Sequence, residues 1–189
     1  RLVKEWVCQG RLGAVRHVRS CGCWPRDPAY YARNGWAGRL AVGDTWVLDG
    51  PHNNALAHAV NVMLFVGSPV PGQALTPATV RAELYRANAI ESADTAALRV
   101  DTVEGPQVFF AVSHCTAGEA NPVFVLDGEK GRVELGYEGW IRATWADGTA
   151  ETAEAEADTR PPGLLEDVVE AAAGRRRAPE VDDGPSLQP

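Results

Sequence analysis

Residues 122–135 read Pro122-Val123-Phe124-Val125-Leu126-Asp127-Gly128-Glu129-Lys130-Gly131-Arg132-Val133-Glu134-Leu135. Two short apolar or alternating runs flank Asp127-Gly128, a pair that favours the tight turns of β-hairpins. The same grammar extends on both sides. Strand-like runs recur near 80–87, 96–103, 107–114, 122–126, 131–137, 139–146 and 149–157, with a second turn signal at Asp147-Gly148. Gaps this short exclude parallel crossovers, so the pattern predicts an antiparallel meander. Val108-Phe109-Phe110-Ala111-Val112 and Val123-Phe124-Val125-Leu126 are apolar in both phases of the alternation. One face is expected to pack on helices, leaving an apolar patch on the other that a second copy would cover.

The residues before the meander read differently. Positions 1–9 look like the end of an amphipathic helix stopped by Gly10. Ala14 to Ser20 has strand character, and 21–45 is dense in Gly, Pro, Trp, Tyr and Arg. A loop of that length and composition inside a compact domain is usually functional. Asn53 to Phe65 reads as a helix between the turns Asp49-Gly50-Pro51 and Gly67-Ser68-Pro69. Its flanks are apolar on nearly all sides, which predicts a mostly buried helix. A last amphipathic helix is expected at Leu164–Ala173, followed by a polar, Pro-rich tail at 176–189 that is predicted to be disordered. The fold class is therefore α+β, a mostly antiparallel sheet with helices packed on one face, with one domain over 1–175.

Composition narrows the function. The chain has 189 residues, 45% of them hydrophobic, and a formal net charge of −7. That balance argues against a nucleic-acid partner, because phosphate binding needs a basic face. No run of 18 apolar residues is present, so no membrane partner is expected. Cys8, Cys21, Cys23 and Cys115 lack the paired spacings of a zinc site; free thiols in a cytoplasmic protein are expected, with no metal. There is no G-x-G-x-x-G after a strand, no P-loop, no G-x-S-x-G elbow and no H-E-x-x-H. The chain opens as if inside a helix and closes on Gly184-Pro-Ser-Leu-Gln-Pro189, so it reads as a fragment of a longer protein.

Three groups of residues have the chemistry of a site. Asn54, His58 and Asn61 are spaced to share one helix face. Grouped inside an apolar helix, they would need partners, which a polyhydroxyl substrate or the protein itself would supply. An imidazole there could take the proton from a hydroxyl under oxidation; equally, the three could be satisfied core polars. The second group is the aromatic loop, with Trp24, Arg26, Tyr30, Tyr31, Arg33, Asn34, Trp36 and Arg39. Aromatic rings pack on the apolar faces of sugars, and guanidinium groups donate to hydroxyls or carboxylates. A structural loop of Arg–carboxylate pairs reads from the same residues. The third is His114, at a strand end beside Cys115, which either points into the same pocket or terminates the strand. His17 and His52 read as exposed or capping residues.

Gly10-Arg11-Leu12-Gly13 entering a strand, the aromatic loop, and Leu48-Asp49-Gly50-Pro51-His52-Asn53-Asn54-Ala55-Leu56-Ala57-His58 together resemble the C-terminal domain of the Gfo/Idh/MocA oxidoreductases. The resemblance spans about residues 1–175. It implies a preceding Rossmann domain with a Glu-Lys-Pro segment, NAD or NADP bound mainly by that domain, and hydride transfer on a sugar, inositol or related polyol. It implies an Asp-x-x-x-His pair on the helix, of which His58 matches the histidine, while Asn54 stands where the family has aspartate. Asn61 occupies a position that is often Asp. His58 and Asn54 are thus the expected catalytic pair, with Asn61, His114 and the aromatic loop expected on substrate. The alternatives are a non-catalytic sugar-binding or dimerisation module, and a relative of NAD-dependent glycosidases.

Overall fold

A computed structural model describes residues 1–154; the expected helix at Leu164–Ala173 and the tail at 176–189 lie outside the described residues. The chain begins with α1 (Leu2–Cys8), whose Val3, Trp6 and Val7 recur at helical spacing and are buried together. Gly10, at φ 70°, takes the left-handed conformation that ends the helix. Next come β1 (Val15–Cys23), the short α2 (Pro28–Ala32), a two-residue hairpin of β2 (Ala41–Val42) and β3 (Thr45–Trp46), and α3 (Ala57–Gly67). Seven strands follow: β4 (Pro77–Tyr85), β5 (Thr95–Thr102), β6 (Gln107–Ser113), β7 (Ala120–Gly128), β8 (Gly131–Gly136), β9 (Trp140–Trp145) and β10 (Ala150–Glu154).

All but β2 and β3 join one eight-stranded sheet in the order β10-β9-β8-β7-β1-β6-β5-β4. Two antiparallel meanders, β4–β6 and β7–β10, flank β1, which is antiparallel to β7 and parallel to β6. The sheet is mostly antiparallel, as its periodicity predicts; the single parallel pair is the exception.

The core lies on the helix-covered face. Val18, Val108, Phe110, Val112, Phe124 and Leu126 point into it from the central strands, and Ala59, Met63 and Val66 meet them from α3. A Phe in such a place is worth about 3–5 kcal/mol against Ala. At the helix end the contact is so close that a Cβ on Gly67 would lie 2.8 Å from Leu75 and 2.9 Å from Val18. The other face is open. Phe109 is exposed there, with Val123 and Val125 half-buried beside it, and the ion pairs Arg19–Asp127 and Arg99–Asp101 border them.

Two local expectations are corrected. The helix begins at Ala57, and residues 51–56 form turns. The helix is also not mostly buried. It rests on the sheet by Ala59, Met63 and Val66, which leaves His58, Asn61 and Phe65 on its exposed side. Apolar side chains on both flanks did not reveal which flank would face the sheet.

Candidate functional site

The site residues are delivered by the ends of β1 and β6. These strands run parallel, with Cys23 opposite Ser113 in register. The pairing continues past the sheet, since Trp24 N donates to Ser113 O (3.0 Å) and Arg26 N to His114 O (2.9 Å). Asp27 then caps α2, its Oδ1 accepting from Tyr30 N at 2.8 Å, and Pro28 occupies the first turn. The turn places Tyr30 against His114, edge to face at 6.1 Å between centroids, and against Tyr31 at 5.3 Å.

A cavity of about 280 Å³ opens between the start of α3 and the ends of β7 and β8. His58 lines it with Trp24, Phe124, Leu135 and Tyr137. Trp24 is held by its Nε1 donating to Asn121 Oδ1 (2.9 Å) and by an edge contact with Tyr137 at 5.6 Å. Three aromatic rings and an imidazole around an apolar hollow suit the apolar face of a sugar ring.

Asn54 and Asn61 do not line this cavity. Asn54 donates from Nδ2 to Asp49 Oδ1 (2.7 Å), while Gly38 N donates to the other oxygen of that buried carboxylate at 2.7 Å. Asn61 sits exposed on α3. Two residues of the aromatic loop are engaged within the protein. Asn34 Oδ1 accepts from Trp36 N and Ala37 N, and Arg39 donates to Glu91 at 2.6 Å.

Arg26, Tyr30, Tyr31, Arg33 and His114 gather beside the cavity. The Arg33 Cζ stands 3.5 Å from the Tyr30 centroid and 5.1 Å from that of Trp36, and the Arg26 Cζ stands 4.8 Å from Tyr30 and 5.9 Å from Trp24. His114 is only 4% exposed. Burial, with the cations of Arg26 and Arg33 nearby, holds its pKa down at about 4 against the opposing carboxylates of Asp49 and Asp94. Burial and the negative charge of Asp94 push the Tyr31 phenol up to about 12. Four buried polar atoms in this region have no hydrogen-bond partner: Arg26 Nε, Tyr31 Oη, His52 Nδ1 and His114 Nε2. Unpaired buried groups are costly and scarce in native proteins, so four in one region mark a place where a ligand's polar groups would be welcome.

Sequence reasoning missed Tyr137, Asp49 and Asp94. Asp49-Gly50-Pro51 carried a turn signal and a place in the family-like stretch 48–58, neither of which marks Asp49 as a buried acceptor. Asp94 accepts from Ala87 N, Asn88 N and Asn88 Nδ2 and so fastens the β4–β5 connection, a role that spacing does not show. Among the described residues no three His, Cys, Asp or Glu side chains converge as metal ligands would, the four cysteines are free, and no helix is long and apolar enough to cross a membrane.

Comparison with known proteins follows the same lines. The family model described as GFO/IDH/MocA C-terminal domain matches residues 1–134. No curated protein matches the chain. Among solved structures, the WlbA dehydrogenase from Bordetella pertussis, in complex with NADH and UDP-GlcNAcA, superposes with a TM-score of 0.68 at 21% identity, over 94% of this chain and 51% of that one. A levoglucosan dehydrogenase in complex with NADH and L-sorbose gives 0.64 at 13% identity, over 82% and 43%. An oxidoreductase from Agrobacterium radiobacter, in complex with NAD+, L-tartaric acid and magnesium, gives 0.62 at 19% identity, over 92% and 51%. The chain spans about half the length of these structures.

Proposed function

Starting from the fact that the chain belongs to the Gfo/Idh/MocA family, as a C-terminal domain matched over residues 1–134, we propose that it forms the substrate-binding part of an NAD(P)-dependent oxidoreductase acting on a sugar or related polyol. The observation that carries this reading is His58 on the wall of the cavity with Trp24 and Tyr137. The rings take the apolar face of the sugar. His58, exposed at the start of α3, accepts the proton of the hydroxyl under oxidation. When bound, a nicotinamide supplies the hydride acceptor. The sequence holds no strand–G-x-G-x-x-G–helix unit for its pyrophosphate, so this chain's part is to bind substrate and move the proton. Support comes from neighbours of the same fold whose structures hold NADH or NAD+, two of them with sugar-type ligands.

The domain over 1–175 is completed by a homo-oligomeric contact on the open sheet face around Phe109. The free cysteines suit a reducing, cytoplasmic setting. Asn54 favours a second reading. An amide committed to Asp49 cannot accept a proton, and a sugar-binding module without catalysis would need only the rings and the cavity.

The test is steady-state kinetics of the intact protein on a panel of sugars and polyols. His58→Ala is expected to lower kcat and kcat/KM together by roughly 10²–10⁴-fold, the loss of a group acting mainly in the transition state. A folded His58→Ala protein with full kcat on its best substrate would refute the role of His58 and leave the binding-module reading.

A further inference from the structure

Among the described residues, seven arginines meet a carboxylate and five do not. Arg1, Arg11, Arg16, Arg19, Arg39, Arg99 and Arg132 each do so. Arg26, Arg33, Arg81, Arg86 and Arg142 meet none, and of these Arg26 and Arg33 share one ring, that of Tyr30. The Arg26 contacts are two aromatic rings and one long hydrogen bond, 3.5 Å, to the carbonyl of Pro25, and its Nε is buried without a partner. Arg33 donates to the Tyr30 carbonyl at 2.7 Å and otherwise lies on rings. Both guanidiniums stack on Tyr30, at 4.8 and 3.5 Å from its centroid, so the two cations are held within about 8 Å of each other.

Like charges held this close repel, and stacking on a ring face offsets only part of that. An anion between or beside them would remove the repulsion and give Arg26 Nε its missing acceptor. An open cleft of about 440 Å³ lies beside Arg26, lined by Pro25, Arg26, Asp27 and Tyr30. Asp27 is the one carboxylate on its wall, and one of its oxygens is taken by the cap of α2. Arg26 is the cation on that wall, and Arg33 stands outside the lining, on the ring of Tyr30. Asp49 and Asp94 are buried nearby, but their oxygens already accept hydrogen bonds from Gly38, Asn54, Ala87 and Asn88. His114, almost wholly buried with an unpartnered Nε2, stands against Tyr30 at the back. Trp24 links the two hollows, since its ring lines the His58 cavity and also lies 5.9 Å from the Arg26 guanidinium.

We propose that Arg26 and Arg33 bind the carboxylate or phosphate of an acidic sugar, so that the substrate spans from the His58 cavity past Trp24 to this cleft. The proposal rests on the sugar reading of that cavity and narrows it to anionic sugars. Guanidinium is the side chain suited to this use, because its planar fork matches both groups and it stays charged at all physiological pH.

The test titrates D-glucose, D-glucuronate and D-glucose 6-phosphate into the isotope-labelled full chain at low salt. The resonances followed are the Nε–H of Arg26 and Arg33 and the ring signals of His58, Tyr137 and His114. At least one acid should shift both arginine signals, raise the pKa of His114, and bind at least about tenfold more tightly than glucose. Added salt, Arg26→Gln and Arg33→Gln should each shrink that preference. Comparing the two acids tells carboxylate from phosphate. Equal binding of all three sugars with unmoved arginine signals would overturn the anion site and leave the sugar reading standing. Acids that shift the arginines while nothing shifts His58 or Tyr137 would uphold the anion site and overturn the sugar cavity. The wild-type signals decide between these outcomes even where a variant fails to fold.

Discussion

Acidification should destabilise this protein through His114 before its ordinary carboxylates titrate. The His114 imidazole, 4% exposed, is held at about 4 against an ordinary 6.5. The groups facing it are Arg26 and Arg33, which lower it, and Asp49 and Asp94, which raise it, with burial the largest cause. Because the folded value is depressed, the unfolded chain binds a proton below pH 6.5 that the folded protein refuses. The stability tied to this group is therefore complete above about pH 6.5 and drains away as the pH falls toward 4. At about 1.4 kcal/mol for each tenfold change in proton affinity, the gap is worth about 3 kcal/mol, a large fraction of an ordinary domain's stability. Urea unfolding of the wild type and of His114→Phe at half-unit steps from pH 7.5 to 4 measures it. Phe keeps a ring against Tyr30 and removes the titration, so the difference between the two proteins should grow by about 3 kcal/mol across that window. At pH 7 the variant should be no less stable, since it loses an unpartnered buried nitrogen. Parallel pH profiles for the two proteins, or a His114 signal titrating between pH 6 and 7, would refute the reasoning.

Three further outcomes are expected. Lys4, 7% exposed, donates from Nζ to the carbonyls of Phe65, Ser68 and Gln73 at 2.7–2.8 Å and so closes the C-terminal end of α3. Lys4→Met keeps the stem but strands these acceptors, so it should cost about 2–4 kcal/mol and lower Tm by roughly 5–15 °C; a loss below about 0.5 kcal/mol would sink the idea. Phe109→Asp, in the middle of the open sheet face, should turn an oligomer of the intact protein into monomers in light scattering, and an intact wild type that is monomeric at tens of micromolar contradicts the proposed contact. Residues 1–189 alone should show no micromolar binding of NAD+ or NADP+ by calorimetry, since no dinucleotide fingerprint is in the sequence, and a micromolar isotherm would reverse that.

Strand periodicity was the legible part of this chain, and from β5 to β9 it was legible because buried and open positions alternate, whereas β4 is exposed at every position. The strands from β4 to β9 fall within three residues of the expected runs at each end, and β10 starts within one; the end of the run expected to 157 lies outside the described residues. Even so, a correct hairpin can hide a different cause. Asp127-Gly128 signalled a turn, yet both residues finish β7, and Glu129-Lys130 make the connection to β8. Gly128 is glycine for another reason: the backbone of Leu12 crosses where its Cβ would be. Asp147-Gly148 is a turn as read, with Gly148 at φ 85°. Periodicity also failed at α3, where apolar flanks on both sides concealed which way His58 and Asn61 would face.

The least legible feature is the one on which the candidate site depends. Nothing local in Val15–Cys23 or Gln107–Ser113 says that these strands are neighbours, because the chain between them holds α2, β2, β3, α3, β4 and β5. Short gaps within each meander favoured antiparallel pairing throughout, and the parallel pair arises only because β1 is inserted between the two meanders. Its direction has a chemical consequence. Parallel strands end on the same side, so β1 delivers Trp24, Arg26 and Tyr30 where β6 delivers His114, and Arg26 N donates to His114 O across the join. Had β1 run the other way, His114 would sit beside the start of β1, near Val15, and the two arginines would have no buried imidazole behind them. The aromatic loop and His114 read as separate candidates in the sequence because only the direction of one strand makes them a single site.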